Sequence, residues 1–225
     1  MTIRIAINGF GRMGRLALRA AWDSPHFSIV HINEIAGDAV AAAHLLEYDS
    51  VHGRWDKKIQ ATDNTLVIDN HVVGYSQNNA IQDTDWQALN IDVIIECTGK
   101  HKSQVSLAPY FAAGIQKVVV SAPIKDGTLN VVMGINDSAY DHAQHHIVTA
   151  ASCTTNCIAP AIDVIHSSFG IKHGSITTIH DLTNTQSILD EYHKDLRRAR
   201  ACGTSLIPTT TGSATAITEI FPELK

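Results

Sequence analysis

The residue best suited to covalent chemistry is Cys153, in the second half of the chain. It lies in the run Ala-Ser-Cys-Thr-Thr-Asn (residues 151–156), which follows a strand-like segment and begins a segment with helical spacing. A helix N-terminus stabilises a thiolate through its dipole and free amides, so we expect a lowered pKa for Cys153. The same amides could hold an oxyanion. We therefore predict a nucleophile at Cys153 and interpret Cys97, Cys157 and Cys202 as small buried hydrophobic residues.

A general base for this thiol would have to reach it through a hydrogen bond. His180 is the candidate, because it follows a predicted strand, Ser175–Ile179, and polar residues come after it. Strand ends that face a cleft suit such a role. The chain contains 13 histidines, however, and the local sequence alone does not distinguish His180 from a structural histidine.

Hydroxyl and guanidinium groups in the same half suit a phosphorylated substrate. Thr183 follows soon after the candidate base, and Thr209–Gly212 offers hydroxyls and a free amide. Arg197, Arg198 and Arg200 offer positive charge. The fork of an arginine matches phosphate geometry, although a run of arginines is more often a solvated surface. We expect one of the three arginines to contact a phosphate.

The first half carries a glycine motif, Gly9-Phe10-Gly11-Arg12-Met13-Gly14, between a predicted strand and a predicted helix from Arg15 to about Trp22. In such a motif one glycine permits a tight turn, one lets the backbone approach a pyrophosphate, and one lets the helix pack on the strand. The pyrophosphate would rest on the helix N-terminus. An ordinary glycine-rich turn is the alternative, but the surrounding elements favour a dinucleotide site.

An acidic residue stands where such a site would bind ribose. Glu34 follows the second predicted strand, 20 residues after Gly14. An acid at this place accepts hydrogen bonds from the ribose hydroxyls of NAD and repels the extra phosphate of NADP, so we predict NAD as the cofactor, with NADP as the less favoured alternative. A further turn, Cys97-Thr98-Gly99, ends the third strand at the edge where ligands gather in open sheets.

These groups need a parallel sheet to position them. Over the first 150 residues, short β-branched apolar segments alternate with helix-like segments, which is typical of a parallel sheet covered by helices. We predict a Rossmann-type, doubly wound α/β domain over residues 1–150. Its predicted strands are Ile3–Ile7, Ser28–Ile32, Val93–Cys97, Val118–Ser121, Val131–Gly134 and Ile147–Ala150.

A second domain is predicted for residues 151–225. It begins with a helix over Cys153–Phe169 that Gly170 could cap. The predicted strand follows, and then comes a long polar stretch, Asp181–Gly203, of a kind that is usually functional or disordered. We expect the first part of an α+β catalytic domain here.

Composition excludes several classes of function. The chain of 225 residues is 44% hydrophobic and 17% charged with a formal net charge of −5, so it has no field that would gather nucleic acid or an anionic membrane. We find neither a membrane-spanning apolar run nor a signal peptide. The four cysteines form no CxxC pair, which argues against a disulfide framework and against a zinc site. We expect a cytoplasmic protein without metal.

Five segments resemble the glyceraldehyde-3-phosphate dehydrogenase family, in the family's order: INGFGRMGR, ASCTTNC, HDLTNTQ, HKDLRRARA and LIPTTTGSATAI. ASCTTNC is a highly specific signature, and the resemblance spans the whole chain. It implies that Cys153 is the nucleophile and that His180 activates it and assists hydride transfer. The implied cofactor contacts are Gly9, Gly11, Arg12, Met13, Gly14, Glu34, Thr98, Gly99 and Ser121. The implied contacts to the substrate phosphate and to inorganic phosphate are Ser152, Thr154, Thr183, Arg198, Thr211 and Gly212.

The resemblance also implies a mechanism and an assembly. The Cys153 thiolate would add to an aldehyde, the adduct would pass hydride to NAD and leave a thioester, and phosphate would release an acyl phosphate. The stretch Leu182–Gly203 resembles the family's S-loop, which packs against a neighbouring subunit's cofactor in a homotetramer.

The chain departs from the family pattern in places that bear on the substrate. Asn33-Glu34 replaces the usual Asn-Asp and, with Tyr192-His193, resembles erythrose-4-phosphate dehydrogenases. Glu191-Tyr192 replaces Leu-Pro in the S-loop, Asp181 stands where Ser is common, and Thr215 stands where Lys is common. Asn33-Glu34, HDLTNTQ and GSATAI together resemble the branch associated with an arsenate exporter, whose implied acceptor is arsenate rather than phosphate.

Family members continue well past Lys225, so we expect little or no turnover from a chain that ended there. Three functions stay open from the sequence. The first is a phosphorylating dehydrogenase of glyceraldehyde 3-phosphate, and the second is the same chemistry on erythrose 4-phosphate. The third is a protein that binds NAD and acts by contact only.

Overall fold

The computed structural model describes residues 2–225. Backbone contacts divide the chain into two compact units, one ending at Ser152 and one comprising Cys153–Lys225. None of the helices in residues 2–225 is long and apolar enough to cross a membrane. No group of three or more His, Cys, Asp or Glu side chains in this described part of the chain is arranged to hold a metal ion.

The first unit is built on short strands and three helices. Its strands are β1 (Ile3–Asn8), β2 (Phe27–Asn33), β3 (Tyr48–Asp49), β4 (Gly53–Arg54), β5 (Ile59–Thr62), β6 (Thr65–Ile68), β7 (His71–Ser76), β8 (Val93–Glu96), β9 (Lys117–Val120), β10 (Leu129–Asn130) and β11 (Ile147–Thr149). Its helices are α1 (Arg12–Ala21), α2 (Ala39–Glu47) and α3 (Gln104–Ala112), and single 3-10 turns lie at Ile81–Asp83 and Asp137–Ala139.

Within residues 2–225, nine strands form one sheet in the order β10-β11-β9-β8-β1-β2-β7-β6-β5. The pairs from β10 to β7 are parallel, which confirms the predicted Rossmann-type sheet. Strands β7, β6 and β5 extend it with antiparallel pairs that the sequence reading did not anticipate. Strand β1 lies between β2 and β8, so the chain winds away from it in both directions. Open α/β sheets bind ligands at such a switch point.

Strand β1 explains why both faces of the sheet must be covered. Successive side chains of a strand point to opposite faces. Ile5 and Ile7 pack on one face in the cluster that contains Leu18 of α1, and Ala6 packs on the other in the cluster that contains Leu107 of α3. Three apolar residues, Ile5, Ala6 and Ile7, therefore follow one another in the buried part of β1, as expected for a buried parallel strand.

Beyond shifts of one residue at strand ends, one helix start and one strand in this unit differ from the predictions. Helix α1 begins at Arg12 rather than Arg15, because the Arg15 N–H bonds the Gly11 carbonyl and makes Gly11 the N-cap. The predicted strand Val131–Gly134 is wrong. The Asn136 side chain accepts from the Val132 N–H at 2.7 Å, which holds a turn there instead of a ladder of strand hydrogen bonds.

The second unit contains two helices, α4 (Cys153–Phe169) and α5 (Ser213–Ile220), and a final 3-10 turn, Pro222–Leu224. Helix α4 has the predicted bounds. Gly170 ends it with φ +74° and an N–H donated to the His166 carbonyl, as expected of a glycine cap. Helices α4 and α5 contact each other.

Residues 171–212, which connect α4 to α5, contain no helix or strand in the described structure. The predicted strand Ser175–Ile179 is therefore wrong. An extended segment becomes a strand only when a neighbouring backbone pairs with it. Turns organise the later part of this segment instead, with backbone hydrogen bonds from Gln186 to Thr183 and from Arg198 to Asp195.

Candidate active site

The side chains of Cys153 and His180 meet at the start of α4. Cys153 is the first residue of the helix, and its sulfur lies 3.2 Å from Nε2 of His180, 27 residues further along the chain. Both residues are exposed. The structure thus brings the predicted nucleophile and the predicted base into hydrogen-bonding contact.

The backbone carbonyl of Asp181 orients the imidazole. Its oxygen lies 2.6 Å from Nδ1 of His180, and because a carbonyl can only accept, Nδ1 carries the hydrogen of this bond. Nε2 therefore faces the thiol, where it accepts from the neutral S–H or, once protonated, donates to the thiolate. This geometry suits proton transfer from Cys153 to His180.

The same contacts shift the ionisation of both groups. The Asp181 carbonyl and then the Cys153 sulfur raise the pKa of His180 above its usual value. Partial burial opposes ionisation of the Cys153 thiol, but hydrogen bonds from His180 and Thr154 outweigh it and lower the pKa of Cys153. Both shifts favour a thiolate beside an imidazolium, the reactive form of a cysteine nucleophile.

The other three cysteines do not all fit the interpretation as buried hydrophobic residues. Burial raises the pKa of Cys97 to about 11, which keeps that thiol neutral and unreactive. Cys202 is half-buried, but Cys157 is exposed. The interpretation is therefore wrong for Cys157, because it lies four residues after Cys153 and so on the same exposed side of α4.

The hydroxyls predicted to bind phosphate are held by local hydrogen bonds. Thr183 lies against Gln186, whose Oε1 accepts from the Thr183 N–H at 2.7 Å and from its hydroxyl at 2.9 Å. Thr211 pairs with the Ser213 hydroxyl at 2.6 Å, and Gly212 forms the N-cap of α5. Ser152 and Thr154 flank the nucleophile directly.

The three candidate arginines differ in how firmly each is paired with an acidic residue. Arg197 forms two hydrogen bonds to the Asp195 carboxylate, at 3.0 and 2.9 Å, and Arg200 pairs with Asp190 at 2.7 Å. Arg198 is held most loosely, with its Nε 3.8 Å from Asp195. Of the three guanidinium groups, that of Arg198 is therefore the least firmly paired, and it is also the least exposed, at 31% against 51% for Arg197 and 63% for Arg200.

In the first unit, two of the motif glycines sit where a side chain could not fit. A Cβ on Gly9, whose φ is +90°, would lie 2.5 Å from the Thr98 nitrogen, and a Cβ on Gly14 would overlap the Gly9 carbonyl oxygen. Gly11 differs, because the space around its Cβ position is open to 4 Å. Gly9 and Gly14 thus pack the loop against the sheet, and Gly11 leaves a clear approach to the N-terminus of α1.

Charged side chains brace this loop. The Glu34 carboxylate accepts from the Phe10 N–H at 2.5 Å and from the Ala36 N–H at 2.8 Å. Arg12, at the start of α1, donates to the Asp49 carboxylate at 2.7 Å. Burial is incomplete at Glu34 and Arg12, so both could also face a ligand. Glu34 therefore shapes the glycine loop as well as standing at the predicted ribose position.

The remaining predicted cofactor residues follow strands at the same edge of the sheet. Thr98 and Gly99 come directly after β8, with Gly99 at φ +70°. Ser121 follows β9 and donates its N–H to the Glu96 carbonyl at 2.9 Å. The adjacent strands β9, β8, β1 and β2 thus each end in predicted cofactor contacts, and this edge fits a dinucleotide.

Sequence reasoning missed residues that hold the predicted ones in place. Glu96 holds Thr98, Asp49 holds Arg12, and Gln186 holds Thr183. Glu96 carried a usable signal, since a lone acid at the end of the apolar strand segment VIIE has to be satisfied when buried. No such sequence signal marked Asp49 or Gln186, because only the folding of their loops brings each of them to its partner.

A parallel sheet with a glycine motif at its switch point, joined in one chain to a thiol–imidazole pair at a helix start, defines a nucleotide-binding oxidoreductase of the dehydrogenase class. Comparison with known families gives the same answer. Residues 3–104 match the NAD binding domain of glyceraldehyde 3-phosphate dehydrogenase, and residues 152–225 match its C-terminal domain.

Similar proteins cover the whole chain. It is 59% identical over 225 residues to glyceraldehyde-3-phosphate dehydrogenase 3 of Nostoc sp. and 44% identical to the Geobacillus stearothermophilus glyceraldehyde-3-phosphate dehydrogenase. The Streptomyces coelicolor enzyme of that name is 44% identical over 226 residues. The chain spans 67% of the length of each relative. The chain belongs to the glyceraldehyde-3-phosphate dehydrogenase family, a family of NAD-dependent oxidoreductases, and its cofactor is NAD.

Proposed function

We propose that this chain provides the NAD site and the catalytic pair of a phosphorylating dehydrogenase that oxidises glyceraldehyde 3-phosphate. The observation that carries the proposal is the 3.2 Å contact between the Cys153 sulfur and His180 Nε2 at the start of α4. An aldehyde dehydrogenase that conserves its oxidation energy needs such a thiol to form a covalent thioester. The terminal acceptor is proposed to be phosphate or arsenate.

The first half of the proposed reaction follows from the orientation of His180. Nε2 takes the proton of the Cys153 thiol, the sulfur adds to the aldehyde carbon, and Nε2 returns that proton to the aldehyde oxygen to give a hemithioacetal. The positive dipole end at the start of α4 stabilises the oxyanion as it forms. NAD, when bound, supplies the hydride acceptor. His180 removes the hydroxyl proton of the hemithioacetal as the hydride leaves, and a thioester remains on Cys153.

The second half releases the acyl group. An oxygen of phosphate or arsenate attacks the thioester carbon, and the carbon–sulfur bond breaks to give an acyl phosphate or acyl arsenate. Cys153 departs as a thiolate, which the lowered pKa of its thiol makes a better leaving group. The pair is then ready for another cycle.

The remaining residues are proposed to bind and orient. Arg198, with its looser ion pair, is the proposed cation for a phosphate group. The proposed contacts for the two anions are Ser152, Thr154, Thr183, Arg198, Thr211 and Gly212. The proposed contacts for NAD are Gly9, Gly11, Arg12, Met13, Gly14, Glu34, Thr98, Gly99 and Ser121.

We further propose the organisation of the whole protein. Residues 1–150 would form the NAD-binding domain, and residues 151–225 would belong to the catalytic domain. Apolar side chains of the S-loop, including Leu189 and Tyr192, are fully or largely exposed. Exposed apolar clusters mark protein interfaces, so a second copy of the chain is the proposed partner, in a homotetramer. Free thiols suit the cytoplasm.

The test is an assay of NADH formation from glyceraldehyde 3-phosphate and NAD, with phosphate or arsenate as the acceptor. It is run on this chain and on a chain joined to the part of the Nostoc relative that this chain does not span. Cys153→Ser should abolish turnover, and His180→Asn should lower it by about a hundredfold. His173→Asn, which alters another exposed histidine of the unit, is the matched control.

The outcomes separate the three functions. Cys153-dependent NADH formation with glyceraldehyde 3-phosphate supports the proposal, and the ratio of the two acceptor rates decides between phosphate and arsenate. Turnover of erythrose 4-phosphate alone would refute the substrate but keep the chemistry. NAD binding without turnover of either aldehyde by the joined chain would refute the enzymatic function.

A further inference from the structure

A buried carboxylate lies at the centre of the cofactor edge of the sheet. Glu96, the last residue of β8, is 1% exposed. Its Oε1 accepts from the Thr98 N–H at 2.7 Å and from the Thr98 hydroxyl at 2.5 Å. Its Oε2 accepts from the Tyr110 hydroxyl at 2.6 Å and from Asn8 Nδ2 at 3.1 Å. Four neutral donors thus satisfy this acid.

Glu96 is one end of a row of side chains that crosses three strand ends. Asn8 lies opposite Glu96 on β8 and opposite Asn33 on β2. Asn33 Nδ2 donates to Asn8 Oδ1 at 2.8 Å, and Asn8 Nδ2 in turn donates to Glu96. Each member stands directly before a part of the NAD site: the glycine motif, the acid after β2, and the turn after β8. The row therefore sets the relative positions of these three parts.

The contact with Thr98 has a chemical consequence. Both hydrogen-bond donors of Thr98, its N–H and its hydroxyl, are directed inward to the Glu96 carboxylate. Its hydroxyl oxygen also accepts from the Lys100 N–H at 3.1 Å, so Thr98 can offer a ligand only the remaining acceptor capacity of its oxygens, and acceptors suit the hydroxyl donors of a ribose. The same turn lies against Gly9, whose Cβ position is 2.5 Å from the Thr98 nitrogen. A displaced turn would therefore disturb the glycine motif as well.

We propose that Glu96 is a positioning residue of the NAD site, which holds the Thr98 turn against the glycine motif and presents its acceptors to the cofactor's ribose. A glutamine could not replace it, because an amide has one acceptor oxygen for the two pairs of donors. The amide NH2 would face either the Thr98 donors or Asn8, whose own amide orientation is set by Asn33. This inference concerns NAD binding alone and does not depend on the aldehyde chemistry.

The test compares Glu96→Gln with Tyr110→Phe by calorimetric titration of NAD and by thermal unfolding. Glu96→Gln should raise the Kd for NAD about tenfold, since it mispairs a charge-assisted hydrogen-bond set beside the ligand. Tyr110→Phe removes a donor from the same carboxylate and an acceptor from Asn8 Nδ2, both on the side away from Thr98. It should lower the melting temperature but keep the Kd within about twofold.

A purely structural role would raise Kd in both variants in step with the loss of stability, and that result overturns the proposal. An unchanged Kd in Glu96→Gln overturns it too. If that variant does not fold, amide hydrogen exchange of the parent chain without NAD decides. The Thr98 amide should exchange far more slowly than that of His101 in the following loop, and equally fast exchange refutes the contact on which the proposal rests.

Discussion

The Cys153 sulfur and the His180 Nε2 atom share a hydrogen bond of 3.2 Å, while the Asp181 carbonyl holds the other side of the ring. The protonation of each group therefore affects the other. Imidazolium stabilises the thiolate, and the thiolate stabilises imidazolium, which is why the pKa of Cys153 is lowered and that of His180 is raised.

Alkylation of Cys153 should report this coupling. We expect the rate at which iodoacetamide alkylates Cys153 to stay high at pH values below the usual pKa of a cysteine. The rate should fall only as the pH drops through the lowered pKa of Cys153. His180→Asn should move that profile to higher pH and slow the reaction near neutral pH by about tenfold or more. The measurement is made by mass spectrometry in a Cys157→Ser background, because Cys157 is also exposed.

The control for this prediction is His173→Asn, which should leave the pH profile unchanged. Identical profiles for the parent and His180→Asn would mean that the imidazole does not assist ionisation. The helix N-terminus alone would then account for the reactivity of Cys153.

His31 should make the first unit sensitive to acid. Burial lowers the pKa of this imidazole from 6.5 to about 4, and its Nδ1 is a buried atom that has no hydrogen-bond partner among residues 2–225. Below pH 6.5 His31 is protonated in the unfolded chain, whereas in the folded chain it stays neutral until the pH falls to about 4. The free energy of unfolding is therefore unaffected by this group above pH 6.5 and falls by up to about 3 kcal/mol as the pH drops from 6.5 to about 4.

The variant that tests this is His31→Gln, which can still hydrogen-bond Ser76 but does not titrate. Urea unfolding at several pH values should show a smaller acid-induced loss for His31→Gln than for the parent. His26→Gln, at an exposed position of the same unit, should behave like the parent. Parallel curves for the parent and His31→Gln would contradict the assignment of this proton to His31.

Replacing Gly9 by alanine should lower the stability of the fold, whereas replacing Gly11 by alanine should weaken NAD binding. A Cβ at Gly9 meets the Thr98 backbone and also requires an unfavourable positive φ, so Gly9→Ala should destabilise the fold by about 2 kcal/mol or more. A Cβ at Gly11 meets nothing within 4 Å, and its φ of −66° suits alanine. Gly11→Ala should therefore fold normally but bind NAD more weakly, because the methyl group enters the space left for the pyrophosphate.

Thermal unfolding and NAD titration of the two variants check this prediction. Normal NAD affinity in Gly11→Ala would show that the cofactor does not approach the backbone there. Normal stability in Gly9→Ala would show that the turn after β8 can move away from the motif.

Trp86 should be a major contributor to the stability of the first unit. It is 1% exposed, donates its indole N–H to the Ile81 carbonyl at 2.7 Å, and packs edge-on against Tyr110. Trp86→Phe should cost about 2–4 kcal/mol, because it leaves a cavity and removes the shorter of two hydrogen bonds to the Ile81 carbonyl, which keeps only the Thr84 N–H at 3.4 Å. Urea unfolding provides the measurement, and the half-buried Trp55→Phe should cost clearly less. An equal cost would contradict the importance of the buried indole.

Local sequence was sufficient for the central part of the sheet and for the glycine motif. Short apolar runs such as Ile5–Ile7 predict a strand buried on both faces, and the glycine motif is recognised by its spacing between such a strand and a helix. The same holds for Cys153, because a strand followed directly by a helical pattern predicts a helix N-terminus at that residue. Such signals are carried by neighbouring residues, so they are legible without the fold.

Signals that depended on distant partners were misread or missed. The segment Ser175–Ile179 has strand-like composition, but composition does not supply the paired backbone that a strand needs. Cysteine is a residue type that is usually buried, but Cys157 is exposed. Whether a helical side chain is buried depends on what packs on its side of the helix. His180 was one histidine among 13 until the fold placed its ring beside Cys153.

By itself, the sequence determined the fold class, the family and the residue types of the two sites, because these follow from spacing along the chain. Only the tertiary structure decided the contacts between segments far apart in sequence. Glu96 reaches Asn8 across 88 residues, and Tyr110 reaches the same asparagine across 102. Those contacts depend on strand register and helix packing. Register is set by the burial of whole strands together, and no local stretch of sequence contains that information.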